Sequence, residues 1–181
     1  MNVVPIGVVH SPFAEPAGTP IQPRAAEGVE GTVEVFPAYA DGLADLADFE
    51  RIWLLYWFHR AGPVRLRVRP YMDPAARGLF ATRAPCRPNP LGLSAVRLLG
   101  IEGRRLRVAD VDVLDGTPLL DIKPYVPAFD VFPVTRVGWL AEKNVRRAVA
   151  DDRFGRPDDG PERGPDAAAD RGPADPRGEH P

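Results

Sequence analysis

The sequence predicts a mainly β protein, a small barrel or sandwich with a few short helices added. Several short runs are rich in β-branched residues or alternate between apolar and polar side chains, which is the pattern of strands. Strands and helices do not alternate regularly along the 181 residues, and no GxG sequence occurs in them. Both observations argue against a doubly wound, Rossmann-type sheet.

The first half of the chain contains three predicted strands around a longer apolar run. Residues 3–9 (VVPIGVV) are short and β-branched, residues 32–36 (TVEVF) alternate, and residues 64–69 (VRLRVR) place Val and Leu on one face and three arginines on the other. Residues 52–58 (IWLLYWF) are apolar on both faces, which predicts a central strand, or one that also lies at a subunit contact. A short helix is expected near residues 43–49.

The second half predicts a hairpin, a further strand and a helix. Residues 94–101 and 106–113 are apolar-rich runs on either side of the turn Glu102-Gly103-Arg104. Residues 131–137 predict another strand, and residues 139–149 predict a helix. The apolar stripe of that helix consists of Leu140, Val145 and Val149.

The chain divides into a body, residues 1–150, and a tail, residues 151–181. After Phe154 the tail has almost no large apolar residues and many Pro, Gly and Asp. Such a composition cannot bury enough apolar surface to offset the entropy lost on ordering, so disorder is expected. The tail carries nine acidic residues and five arginines, which leaves the body with a formal charge of +2. A mildly basic body is compatible with nucleic acid and does not by itself indicate it.

Cysteine usage and hydropathy indicate a cytoplasmic protein. Cys86 is the single cysteine, so no internal disulfide forms, as in a reducing compartment. Residues 1–10 lack the pattern of a signal peptide, and the longest apolar run is far shorter than the about 20 residues that cross a bilayer. CxxC, HExxH and GxSxG patterns are absent, so neither a metal site nor a hydrolase nucleophile elbow is expected.

A proline-rich loop is the first candidate functional segment. Residues 78–94 (GLFATRAPCRPNPLGLS) contain three prolines within six residues, and each proline ring fixes φ and stiffens the backbone. Arg83 and Arg87 are therefore held on a pre-organised loop, which suits the recognition of a carboxylate or a phosphate. The alternative is a proline-rich crossover whose arginines are simply solvated.

The second candidate segment is residues 112–125 (DVLDGTPLLDIKPY). Asp115-Gly116 is a turn signal directly after a strand. Asp121, Lys123 and Tyr125 alternate, so an extended backbone directs an acid, a base and a phenol to one face. An exposed ion pair between Asp121 and Lys123 explains the same pattern without any function.

Three smaller features complete the candidates. The triplet Gln22-Pro23-Arg24 lies in an early loop, and His59-Arg60 follows the aromatic strand. A lone histidine at a strand end is more often structural than functional. Cys86 has arginine neighbours, which are expected to lower the pKa of its thiol, although a structural role is the preferred interpretation.

The two dense segments resemble one family. FATRAPCRPNPLGLS followed by DVLDGTPLLDIKPYVP is similar to the TsaA-like (TrmO) family of tRNA (adenine-37-N6)-methyltransferases. The opening IGVVHSPF, the triplet QPR and the block DGLADLADFERIWLLYWFHR resemble the same family in the same order, so the resemblance covers about residues 3–140.

The resemblance implies an S-adenosylmethionine-dependent enzyme with a small β-barrel in place of the Rossmann fold, and a homodimer. It implies methylation of N6 of threonylcarbamoyladenosine at position 37, in the anticodon loop of tRNA. Motif matching implies that the cofactor is bound by Gln22, Pro23, Arg24, His59, Arg60, Arg83, Leu93, Asp115, Gly116, Thr117 and Pro118.

The chemistry of such a cofactor suggests roles for these residues. Arg24 or Arg83 would meet the carboxylate, Leu93 the apolar face of the adenine, and the turn at Asp115 would supply backbone contacts. Methyl transfer from sulfonium to nitrogen is a direct displacement, so alignment supplies much of the rate.

The proton on N6 must also leave. Asp121 and Tyr125 are the hypothesised groups that accept or steer it, and Asn89 is the residue hypothesised to orient the base.

Many bacterial members of the family continue into a second domain that helps to hold tRNA, whereas this chain carries the acidic tail there and resembles the shorter, single-domain members. Residues of the body would then have to contact the phosphates of the tRNA. The candidate arginines are Arg65, Arg67, Arg69, Arg104, Arg105 and Arg107, unless these faces are only solvated. Two other functions stay open: a methyltransferase of the same fold for a small metabolite, and a non-catalytic S-adenosylmethionine-binding module.

Overall fold

Six antiparallel strands close into a barrel in a computed structural model, which describes residues 2–143 and 149–154. The described residues contain eight strands, six in the barrel and two outside it. In chain order they are β1 (Gly7–His10), β2 (Glu30–Val35), β3 (Arg51–Trp57), β4 (Arg67–Val68), β5 (Arg77–Gly78), β6 (Leu91–Glu102), β7 (Arg105–Ala109) and β8 (Thr117–Pro124). Around the barrel their order is β1-β2-β7-β6-β3-β8, with β8 pairing back to β1, while β4 and β5 form a separate two-stranded sheet. The predicted β-barrel is confirmed, and the fold is not of the Rossmann type.

Among the described residues helices are few and short, as the sequence predicts. One α-helical turn, α1, spans Pro127–Asp130. The described 3-10 turns span Pro23–Ala25, Pro37–Leu43, Leu46–Asp48, Leu79–Ala81 and Gly138–Leu140. Within the described part of the chain, no helix has the length and apolar character needed to cross a membrane.

The barrel interior is built from alternating apolar side chains. On β3 the residues at positions 52, 54 and 56 are buried and those between them are not, as the pleat of a strand requires. The fully buried side chains that fill the interior include Val9, Val33, Ile52, Leu54, Val96, Leu106, Val108 and Leu119. The prediction of a central strand is confirmed, because β3 pairs with β6 on one side and β8 on the other.

The predicted hairpin is formed by β6 and β7. Glu102 pairs with Arg105 across the turn, and Gly103 adopts a φ of 59°, which glycine accepts without steric cost. β7 ends at Ala109 because the next residue, Asp110, has a φ of 69° and turns the chain away.

Two predicted strands are wrong. Only Arg67–Val68 pairs within the run 64–69, and Val64 and Leu66 are largely exposed. The run 131–137 forms no strand, and its apolar side chains face solvent. Apart from Arg67–Val68, neither run pairs with a strand among the described residues, and a strand needs a partner for its backbone groups.

The helix expected near residues 43–49 consists of two 3-10 turns, because Asp45 between them has a φ of 62°. Of the helix expected at 139–149, only the turn Gly138–Leu140 is present among the described residues, and residues 144–148 lie outside them.

Residues 149–154, here called the terminal strap, pack on the body. Ala150 donates a backbone hydrogen bond to Thr19 O at 2.7 Å. Phe154 is 5% exposed, and its ring centroid lies 5.0 Å from that of Tyr71. The strap therefore connects the N-terminal loops to the small sheet. The remainder of the predicted tail, residues 155–181, lies outside the described residues.

Candidate functional site

A cavity of about 760 Å³ lies at one end of the barrel, where β3 ends and β6 and β8 begin. Its walls are the loop before β2, the loop after β3, the proline-rich loop before β6 and the terminal strap. A cavity of this size suits a ligand of cofactor dimensions.

Seven of the predicted cofactor-binding residues line the cavity. They come from four separate segments, which the barrel end brings together. These residues are Gln22, Arg24, His59, Arg60, Arg83, Leu93 and Thr117.

Four other predicted cofactor-binding residues, Pro23, Asp115, Gly116 and Pro118, do not line the cavity. The Asp115-Gly116 turn is held beside it: Asp115 Oδ1 lies 3.2 Å from His10 Nδ1, and Gly116 N donates to Val9 O at 3.0 Å. Gly116 has a φ of 73°, a conformation that favours glycine. The turn anchors Thr117, which does line the cavity.

The residues predicted to be catalytic do not line the cavity. Asp121 Oδ2 is 2.7 Å from Lys123 Nζ, which is the exposed ion pair that the sequence offered as the alternative. The ring of Tyr125 packs against Trp53, with 5.5 Å between centroids. Asn89 is not a lining residue either, and its carbonyl accepts a hydrogen bond from Leu91 N. Their catalytic roles stay predictions.

A partly buried carboxyl that the sequence does not single out, Asp112, lies in the cavity. Ser94 Oγ donates to Asp112 Oδ1 at 2.6 Å, and Tyr56 Oη lies 3.0 Å from Ser94 Oγ. The Ser94 hydroxyl has one proton, which it donates in the hydrogen bond to Asp112. Its oxygen therefore accepts the hydrogen bond from the Tyr56 hydroxyl. We call these three residues the Asp112 relay. Its two outer members, Tyr56 and Asp112, both line the cavity.

Burial sets the ionisation of the relay. Loss of hydration raises the pKa of Asp112 to about 7, against the opposing effects of the Ser94 hydrogen bond and the charge of Arg83. Burial, reinforced by Asp112, also raises the pKa of Tyr56 far above its usual value. Tyr56 therefore stays a proton donor, while Asp112 divides between its two forms near neutral pH.

Nothing in the local sequence distinguishes Asp112 from its acidic neighbours Asp110 and Asp115. Asp110 is 3% exposed and lies 2.7 Å from Arg51 Nη2 and 2.9 Å from Gly28 N. It holds loops together and does not line the cavity. Asp115 binds His10 outside the cavity. Only the position of Ser94 on a neighbouring strand distinguishes Asp112, and the sequence gives no sign of that pairing.

The basic side chains that line the cavity differ in their hydrogen-bond partners. Arg60 is engaged with Glu15 Oε2 at 2.7 Å and with Ala14 O at 2.6 Å. Arg83 donates to the side-chain oxygen of Gln22. His59 Nδ1 lies 3.3 Å from Thr117 Oγ1, and burial and then the charge of Arg60 lower the pKa of this imidazole. His59 is therefore neutral at pH 7.

The lining fits an amphipathic ligand that carries a carboxylate and a positive charge. Phe58, Leu91 and Leu93 supply apolar surface, Arg83 supplies a carboxylate partner, and Asp112 supplies a carboxyl. Among the residues that the structure describes, no group of three or more His, Cys, Asp or Glu side chains forms a metal site.

The arginines of the β6–β7 hairpin are balanced by glutamates. Arg104 and Arg105 each lie 3.5 Å from a carboxylate oxygen of Glu34, and Arg107 lies 3.5 Å from Glu30. This face therefore presents less positive charge than its sequence indicates.

Comparisons with known proteins agree on one family. The family model for the tRNA-methyltransferase O N-terminal domain matches residues 8–131. A Pyrococcus abyssi protein named as a probable S-adenosyl-L-methionine-binding protein is 58% identical over 153 residues, which cover 83% of each chain. A mouse protein named tRNA (adenine(37)-N6)-methyltransferase is 35% identical over 133 residues, which cover 70% of this chain and 31% of that protein.

A solved structure supports the same grouping. The crystal structure of TrmO from Pseudomonas aeruginosa matches with a TM-score of 0.65 and 41% identity. The match covers 77% of this chain and 62% of that one. The chain thus spans less than two thirds of this solved relative and most of the archaeal one.

Proposed function

This chain belongs to the tRNA-methyltransferase O family, whose members are S-adenosylmethionine-dependent methyltransferases, and we propose that it methylates N6 of threonylcarbamoyladenosine at position 37 of tRNA. One observation carries the proposal. The cavity at the barrel end gathers Gln22, Arg24, Arg83, Leu93 and Thr117 from distant segments, where the family resemblance implies cofactor contacts, around the partly buried carboxyl of Asp112.

S-adenosylmethionine is the proposed cofactor, in line with the name of the Pyrococcus relative. Arg83, with Arg24, would hold its carboxylate, because a guanidinium pairs with a carboxylate through two parallel hydrogen bonds. Leu93 and Phe58 would contact its apolar parts. When bound, the cofactor supplies an electrophilic methyl group.

We assign proton acceptance to Asp112. The nitrogen that gains a methyl group must lose a proton, and a general base works best when its pKa lies near the working pH. Burial raises the pKa of Asp112 to about 7. Ser94 holds Oδ1, which leaves the second carboxylate oxygen to accept a proton. Asp121 and Tyr125 remain the competing hypothesis, although both lie outside the cavity lining.

The partners proposed are tRNA, as the name of the mouse relative suggests, and a second copy of the chain. Trp57, Leu91 and Leu93 are exposed apolar side chains on adjoining strands β3 and β6, and the two leucines also line the cavity, so a second copy on this face would lie beside the ligand site. An apolar face of this kind on a barrel is suited to a subunit contact. We propose a cytoplasmic homodimer.

Methyl transfer from labelled S-adenosylmethionine to total tRNA tests the proposal. The tRNA is used with and without prior threonylcarbamoylation. Label found only in the threonylcarbamoylated tRNA supports it. Absence of label, with cofactor binding measured by calorimetry, contradicts the tRNA substrate and favours a small metabolite or a non-catalytic binding module.

A further inference from the structure

An exposed aromatic ring lies at the mouth of the cavity. The side chain of Phe80 is 77% exposed, although it is one of the residues that line the cavity. A phenyl ring gains free energy by burial, about 25 cal/mol for each Å² removed from water. Phe80 keeps this contact surface available beside the ligand site.

The backbone beneath the ring is fixed. Phe80 is the middle residue of the 3-10 turn Leu79–Ala81, and Leu79 is buried at 1% exposure. Thr82 Oγ1 donates to Leu79 O at 2.8 Å, and Leu79 N donates to Leu66 O at 2.9 Å. Because Leu79 occupies the inward position, Phe80 is directed away from the core.

An arginine lies against the same ring. The Cζ atom of Arg87 is 5.7 Å from the ring centroid of Phe80, within the range of a cation–π contact. Arg87 Nη1 also donates to Thr82 O at 3.0 Å, so the guanidinium is tied to the turn that carries Phe80. Arg87 itself lines the cavity.

An exposed aromatic ring beside a fixed guanidinium is the combination with which proteins bind unpaired bases of single-stranded nucleic acid. The ring stacks on the base, and the cation attracts the phosphate. A base that undergoes chemistry must leave its own stack and needs a replacement surface.

We propose that Phe80 stacks on an unpaired nucleobase of the tRNA anticodon loop as that loop enters the cavity, with Arg87 supporting the ring. This inference rests on the proposed function and names a substrate-binding residue for it. In this inference Phe80 contacts the substrate, whereas Arg83 and Leu93 contact the cofactor.

The test measures RNA and cofactor binding separately. A fluorescently labelled, threonylcarbamoylated anticodon stem-loop is titrated with the full chain at constant salt, and S-adenosylmethionine binding is measured by calorimetry. Phe80→Ala is expected to weaken stem-loop binding about tenfold and to leave cofactor binding unchanged. Phe80→Trp is expected to restore stem-loop binding, because it retains a stacking surface.

Phe129→Ala is the matched control. Phe129 is 73% exposed, nearly the same exposed fraction as that of Phe80, and it does not line the cavity. Its removal is expected to leave stem-loop binding unchanged. Because both side chains are exposed, both alanine variants are expected to keep the wild-type melting temperature.

Three results would overturn the inference: unchanged stem-loop binding by Phe80→Ala, an equal loss of cofactor binding, or no restoration by Phe80→Trp. If the wild-type chain methylates tRNA and Phe80→Ala binds it normally, this inference alone fails. If the wild-type chain neither binds nor methylates the stem-loop, the proposed function fails together with it.

Discussion

The ring of Tyr56 lies directly against the α-carbon of Gly92, its cross-strand partner in the pairing of β3 with β6. A methyl group on that carbon would lie 2.1 Å from Tyr56 Cε2 and 2.4 Å from Cζ, well inside van der Waals contact. The ring cannot withdraw without losing the hydrogen bond between its hydroxyl and Ser94. A glycine at position 92 is thus a condition for the Asp112 relay.

Gly92→Ala is expected to lower the free energy of unfolding by about 2 kcal/mol, because an added atom in a packed interior forces its neighbours apart. Urea unfolding measures the change. Gly100→Ala, on the same strand, is the control, since nothing lies within 4 Å of the position its methyl group would occupy. Equal stability of the two variants would contradict the close packing of Tyr56 on Gly92.

Asp112→Asn is expected to raise the melting temperature at pH 8 and to have little effect at pH 4. The pKa of Asp112 is raised to about 7 in the folded state from 3.8, so the native state binds more protons than the unfolded state between these values. Stability contributed by this group therefore falls as pH rises from about 4 to 7. Asparagine does not ionise, so the variant does not lose this stability as the pH rises. Thermal unfolding across this pH range checks the sign, and a benefit confined to low pH would refute it.

The same substitution is expected to reduce turnover about 100-fold or more, because it removes the general base. Wild-type turnover is expected to rise with pH through about 7, the pKa of Asp112, and then to level off. Asp121→Asn is the paired variant. If Asp121→Asn abolishes turnover and Asp112→Asn does not, proton acceptance belongs to Asp121.

Arg83→Ala is expected to weaken S-adenosylmethionine binding about tenfold, the effect of losing one charged hydrogen-bond partner. Calorimetry measures the affinity. The charge of Arg83 also lowers the pKa of Asp112, so the pH profile of turnover is expected to move to higher pH. Arg104→Ala, whose arginine pairs with Glu34 outside the cavity, is the control and is expected to bind the cofactor normally.

The barrel was predictable because its strands carry their own pattern. β2, β3, β6 and β7 all show the alternation or the apolar runs from which they were predicted. The run 64–69 shows the limit of this reasoning: Val64 and Leu66 alternate with arginines and yet remain exposed. Alternation describes one strand, whereas pairing depends on a neighbour that the local sequence does not specify.

The cavity-lining residues that could be predicted from the sequence are those that belong to the family motifs. Arg83 and Thr117, which the family motifs indicate, do line the cavity. Asp112 does so as well, yet nothing in the sequence separates it from Asp110 two residues earlier. The difference arises in three dimensions: Asp110 faces Arg51 and Arg97, whereas Asp112 faces Ser94.

The terminal strap follows every barrel strand in the chain, and therefore in the order of synthesis. The last barrel strand ends at Pro124, so every strand has been translated before residues 149–154 emerge. The cavity wall needs Ala150 to reach Thr19 near the start of the chain. A nascent chain can therefore close its barrel while one wall of the cavity is still missing, and that wall is added only when residues 149–154 pack on the body.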